Sequence, residues 1–148
     1  VPIEVKWEDL KREEKKDDGY SLLANIPSSM PALLRAYVMT KRAAKVGFDW
    51  QKIEDVYDKM YEEIAELKAA EAAGDQELVR EEVGDLIFTI VNIARFLSVD
   101  PEDALRATSD KFTRRFSYIE NNTDIRNSDA DTMDKLWNDS KSLEDKGK

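Results

Sequence analysis

Apolar side chains recur at three- and four-residue intervals over most of the chain, and nowhere do they alternate as along a strand. The pattern predicts an all-α protein, and its breaks fall at the few glycines and prolines. Pro31, just after Ser28 and Ser29, is a helix-start signal, because its missing N–H is not needed in a first turn. A first helix from Pro31 to about Val46 has Leu33, Leu34, Tyr37 and Ala44 as its apolar stripe. It ends in a basic turn of Lys41, Arg42 and Lys45, which suits the negative end of a helix dipole. Beyond the Gly47-Phe48-Asp49-Trp50 turn, a second helix spans about Ile53 to Ala73 and stops at Gly74. Ile53, Val56, Tyr57, Met60, Ile64 and Leu67 form its apolar face.

The third helix, about Gln76 to Leu97, is apolar around nearly its whole girth from Val83 onward, which predicts a central, buried element. Asp100-Pro101 opens a fourth helix lasting to about Asn121, and Asp131 is the expected cap of a short fifth helix carrying Met133, Leu136 and Trp137. The expected architecture is a bundle of about four core helices plus a short C-terminal helix. It forms one domain over residues 19–148, preceded by a charged arm over residues 1–18. The first, second and fourth helices each offer one apolar stripe, too little to cover the third. One chain then leaves Ile87, Val91 or their neighbours facing outward, and a closed two-fold homodimer is the expected way to bury them.

Composition narrows the chemistry. Cysteine and histidine are both absent, so thiolate nucleophiles, disulfides, zinc-cysteine sites and His-based acid–base catalysis are excluded. Absence of cysteine also fits a reducing compartment, and the expected location is cytoplasmic. With 23 basic against 32 acidic residues the net charge is −9, a balance that repels nucleic-acid backbones. No nucleic-acid partner is expected, and with no apolar run near the roughly 20 residues of a span, no membrane partner either.

The acidic residues become informative once placed on the helices. At 100° per residue, Glu63 falls about 80° and Glu66 about 140° from the centre of the second helix's apolar face, while Glu62 points almost directly away. On the third helix Glu82 falls about 40° from the apolar centre and Asp85 about 100° off on the same side. That edge continues through Thr89 and Asn92. The short link at Gly74 makes the two helices antiparallel neighbours, so their carboxylates converge. Buried carboxylates are costly unless paired or metal-bound, and four oxygen ligands without His or Cys suit Mg²⁺ or Mn²⁺. Glu-x-x-Glu is also common on solvated faces, a reading that suits Glu62, Glu71 and Glu77. The fourth helix adds Lys111 and Arg115, one turn apart, with Arg114 beside them. They are suited to phosphates, or else to ion pairs with Asp110 or Glu120.

The run Glu62-Glu63-Ile64-Ala65-Glu66 followed by Glu82-Val83-Gly84-Asp85 resembles the EExxE…ExxD signature of the all-α nucleoside triphosphate pyrophosphohydrolases, specifically the MazG branch and its C-terminal catalytic domain. Further segments read the same way: Pro31 to Ala36, Lys45 to Trp50, Gly84 to Asn92, Lys111 to Phe116, and Met133 to Trp137. The resemblance covers about residues 7–145. It implies a helical dimer that hydrolyses NTPs or dNTPs to the monophosphate and pyrophosphate with Mg²⁺. Glu63, Glu66, Glu82 and Asp85 would be the metal ligands; Glu62 would stand behind them or serve a further metal, and it is the best candidate to orient or deprotonate the attacking water. Lys111 and Arg115 would grip phosphates, with Asn92, Trp137 and Lys141 also toward the substrate. Some relatives carry a lysine where this chain has Leu78. The charged segment before Gly19 resembles the linker between two halves of longer relatives, as in an excised domain. Phe48, Trp50 and Trp137 are candidates for stacking on a base or for core packing. The competing readings are a non-enzymatic acidic interaction module and a relative acting on a non-nucleotide pyrophosphate.

Overall fold

A computed structural model describes residues 21–147, so the charged arm lies outside the described residues. Five helices follow in order: α1 (Ala32–Lys45), α2 (Ile53–Ala73), α3 (Gln76–Phe96), α4 (Pro101–Asn122) and α5 (Ala130–Lys146), with no strand among the described residues. The chain forms two compact units, one ending at Glu102 and the other beginning at Asp103.

In the first unit α2 and α3 make an antiparallel hairpin, and α1 packs on α3. Gly74 closes α2 in the left-handed region at φ 68°, its N–H reaching the Ala70 and Glu71 carbonyls, and Asp75 opens α3 by accepting from Leu78 N–H at 3.1 Å. A two-residue link of this kind leaves the helices no choice but to lie side by side. Pro31 sits one position earlier than expected, outside α1, where its carbonyl accepts the first helical bond from Arg35. No side chain of the preceding segment caps α1. Instead Glu102 comes from the start of α4 and accepts from Leu34 N–H at 3.3 Å, placing a carboxylate where the α1 dipole is positive.

The buried face of α2 differs from the expected one. Val56, Glu63 and Ala70, seven residues apart, are its buried positions, whereas Met60, Ile64 and Leu67 are only half-buried and Tyr57 and Tyr61 are exposed. Packing against α3 has selected the stripe that holds Glu63 rather than the most apolar stripe. The outward face expected of α3 in a single chain is found in part. One chain encloses Val91 completely, but Ile87 and Ile90 remain 45% and 47% exposed, and Val83 lies on the same stripe. Val91 is therefore not among the outward residues, while Ile87 is.

In the second unit Asp129, not Asp131, caps α5 by accepting from Thr132 N–H at 2.8 Å, and the helix is 17 residues long rather than short. Phe112 stacks on Phe116 at 5.8 Å and meets Trp137 of α5 at 5.5 Å, while Ile119 is buried.

At Gly74 an added Cβ meets no atom within 4 Å, so only backbone strain opposes a side chain there. Gly74→Ala is expected to cost about 1 kcal/mol and Gly74→Asn less, because asparagine tolerates the left-handed region. Urea melts of the two variants check this; equal stability for all three proteins would contradict it.

Candidate active site

The α2–α3 hairpin brings together three of the four expected ligands. One carboxylate oxygen from each of Glu63, Glu66 and Glu82 lies within 4.8 Å of the other two. The i, i+3 spacing puts Glu63 and Glu66 on neighbouring turns of α2, and the antiparallel partner sets Glu82 opposite them. Glu63 is 3% exposed, Glu82 half-buried and Glu66 exposed, so the cluster runs from the helix interface to solvent. Asp85 is exposed one turn beyond Glu82 and lies outside this triad.

The electrostatics of the triad follow from its crowding. Burial by itself would raise Glu63. A hydrogen bond from Lys59, whose Nζ stands 3.0 Å from Oε1, and another from Glu82 outweigh burial and hold Glu63 below its usual value. Glu82 takes the opposite role. Its hydrogen bond to Glu63, then burial, then Glu66 lift it to about 7. Even so, Oε2 of Glu63 and Oε2 of Glu82 are both buried without a hydrogen-bond partner. Two such oxygens beside a third carboxylate form an all-oxygen donor set able to hold a divalent cation, and the residues fit that use.

The other expected residues are distributed as follows. Glu62 is exposed, with Lys59 at 3.5 Å. Lys59 was not anticipated, although its i, i+4 spacing to Glu63 is a signal that the sequence carries. Thr89 is buried and bonds the Asp85 carbonyl at 2.9 Å. Asn92 is 1% exposed, its Nδ2 donating to the Phe88 carbonyl and its Oδ1 accepting from Arg95. Arg95 in turn grips Asp49 at 2.9 and 2.6 Å, and this bond holds Asp49 below the usual carboxylate range. In the second unit Arg115 donates from Nε and Nη2 to Glu144 at 3.1 and 2.9 Å and lies over the Trp137 ring at 5.3 Å. Its ion-pair partner is thus Glu144, not Asp110 or Glu120. Lys111 is half-buried and Lys141 exposed.

The raised value of Glu82 has a definite sign. Without metal, folded Glu82 keeps a proton between about 4.5 and about 7 that the unfolded chain releases. Its stabilising contribution is therefore full below about 4.5 and lost as pH rises through about 7. With a chelator present, Glu82→Gln is expected to melt above the parent near pH 8 and close to it near pH 4.5. Adding Mn²⁺ near pH 8 should raise the melting temperature of the parent more than that of the variant. Parallel melting curves across this range would count against the triad.

Residues 51–119, which include all three carboxylates, match the MazG nucleotide pyrophosphohydrolase domain. The nucleoside triphosphate pyrophosphohydrolase of Escherichia coli (strain K12) is 42% identical over 141 residues, a match covering 90% of this chain and 54% of the relative. The nucleoside triphosphate pyrophosphohydrolase/pyrophosphatase MazG of Thermotoga maritima is 46% identical over 114 residues, covering 77% and 44%. The uncharacterized protein YabN of Bacillus subtilis is 43% identical over 145 residues, covering 93% and 29%. The chain spans about half the length, or less, of these curated relatives. It carries a MazG nucleotide pyrophosphohydrolase domain, and the carboxylate hairpin lies inside it.

Proposed function

We propose that the chain hydrolyses nucleoside triphosphates to the monophosphate and pyrophosphate, using Mg²⁺, with Mn²⁺ as a substitute. The observation that carries this reading is the convergence of Glu63, Glu66 and Glu82 with two buried, unpartnered oxygens, a charge arrangement that favours a hard dication. The family match and the names of the relatives support it. Glu63, Glu66 and Glu82 would hold the ion, with Asp85 as a fourth, exposed ligand one turn further along α3. When bound, the ion would supply positive charge to phosphate oxygens and Lewis acidity for the attack of water.

The roles of this chain's own groups follow. Lys59 keeps Glu63 ionised and orients it through the 3.0 Å contact, so the ligand is set before any ion arrives. Glu62, exposed on the next position, accepts the proton of the attacking water. Lys111 and Arg115 balance the charge of the departing pyrophosphate, and Glu144 holds the guanidinium of Arg115 in a fixed plane until phosphates compete for it. Trp137 and Lys141 complete the substrate contacts.

The test is product identity. ATP with Mg²⁺ is expected to give AMP and pyrophosphate as first products, and Glu66→Ala to lower turnover by at least about 10–100-fold while the far-ultraviolet helical signal is kept. ADP and orthophosphate as first products would contradict the reading, as would full turnover in the variant.

The working form is proposed to be a homodimer, with no nucleic-acid partner. Among the described residues no helix is long and apolar enough to cross a membrane. Val83, Ile87 and Ile90 follow one another at i, i+4 and i+7, an exposed seam of the kind that pairs helices. Sedimentation over a dilution series, with melts at each concentration, is expected to show a dimer whose melting temperature falls on dilution. A 17.0 kDa species with a dilution-independent melt would show that one chain suffices.

A further inference from the structure

In the second unit four cations lie on the helix turns around one carboxylate, that of Glu144. Lys111 and Arg115 are one turn apart on α4 with Arg114 beside them, and Lys141 is one turn before Glu144 on α5. Neither lysine is ion-paired among the described residues, whereas both arginines turn to Glu144. The fit is poor on the acidic side. Nε and Nη2 of Arg115, at 3.1 and 2.9 Å, converge on the single oxygen Oε2, and Oε1 stands 3.7 Å from Arg114 Nε, beyond a good hydrogen bond. In its strongest pairing an arginine gives two parallel bonds to two oxygens. Here one oxygen takes both donors of Arg115, and the other falls short of Arg114.

The Arg115 side chain is 13% exposed and lies over the Trp137 ring at 5.3 Å, so it has little room to leave Glu144 for water. Its bonding edge is occupied by an anion of the chain itself. A terminal phosphate group offers three oxygens, enough to give Arg115 two parallel bonds and still reach Arg114 or Lys111. The carboxylate has the opposite advantage of being tethered, which gives it an effective concentration on the order of millimolar. A phosphate at Arg115 must therefore displace Glu144. We infer that Glu144 is a built-in competitor for phosphates at Arg115, an autoinhibitory contact that keeps pyrophosphate bound weakly enough to leave. The inference rests on the phosphate role proposed for Arg115 above. Glu144 touches no substrate and acts through Arg115. Every anion that needs Arg115 meets the same penalty, because its affinity is reduced by the fraction of Arg115 that Glu144 has released.

Calorimetric titration of the full chain with pyrophosphate, in a chelator so that no divalent ion fills the triad, tests this. Glu144→Gln keeps an oxygen acceptor for Arg115 and loses the charge. It is expected to bind pyrophosphate about 3- to 10-fold more tightly than the parent, the range for an ion pair of this exposure. In turnover of ATP with Mg²⁺, pyrophosphate should inhibit the variant at correspondingly lower concentration. A merely bracing role for Glu144 predicts the reverse, because a loosened Arg115 holds anions less well. In the unsubstituted, isotopically labelled chain, saturating pyrophosphate should move the Arg115 Nε resonance as its acceptor changes. An unmoved resonance, or equal or weaker affinity in Glu144→Gln, would overturn the inference. Arg115→Gln tells this failure from that of the reading beneath it. If that variant loses affinity for pyrophosphate while Glu144→Gln gains none, the competitor alone is lost. If Arg115→Gln binds as the parent does, the phosphate role of Arg115 falls and the competitor with it. Tighter binding in Glu144→Gln by a chain that releases no pyrophosphate from any triphosphate would uphold the competitor and sink the proposed activity.

Discussion

The arrangement of the first unit depends on burying the Glu63 carboxylate against that of Glu82. Two acidic groups pressed together in a helix interface are unfavourable in water and worse in protein, so something must neutralise them. Lys59 takes one oxygen of Glu63, and the crowding of Glu82 against Glu63 and Glu66 lifts Glu82 to about 7, which favours its neutral form. The remaining oxygens have no partner at all. A cation held between them would offset the cost of that burial.

That use of the α2–α3 interface explains what the rest of the helices do. Because the Val56–Glu63–Ala70 stripe faces α3, the more apolar residues of α2 are left half-covered, and α3 keeps Val83, Ile87 and Ile90 outside. A hairpin that spends its internal seam on carboxylates cannot also bury all of its greasy surface within one chain. The site and the exposed seam are thus two results of one packing choice.

Much of this was legible in the sequence. Gly74 and Pro101 mark helix ends by backbone chemistry alone, and the structure uses them so. Helical phase sufficed to bring Glu63, Glu66 and Glu82 near one another. It misjudged which was buried, because a helical wheel equates the apolar face with the covered face, and in α2 the neighbouring helix decided otherwise. Asp85 was counted with the triad by spacing, but phase does not say how far a side chain stands from the facing helix. Asp129 displaced Asp131 as a cap through a choice of two residues that propensity cannot resolve. The Asp49–Arg95–Asn92 clamp joins positions up to forty-six apart, and no local pattern announces it.

Glu63 and Glu82 are nineteen positions apart, joined by the shortest helix-to-helix link among the described residues. Closing a loop of that length carries a modest entropic cost that grows only logarithmically with loop size, and helix pairing meets it whether or not an ion is present. Ligands gathered from remote strands or loops would leave an ion to order the chain as it binds, so that affinity and folding became one quantity, as in small zinc modules. Here the hairpin has already met that cost, so the free energy of binding a cation at the triad would be expressed as affinity.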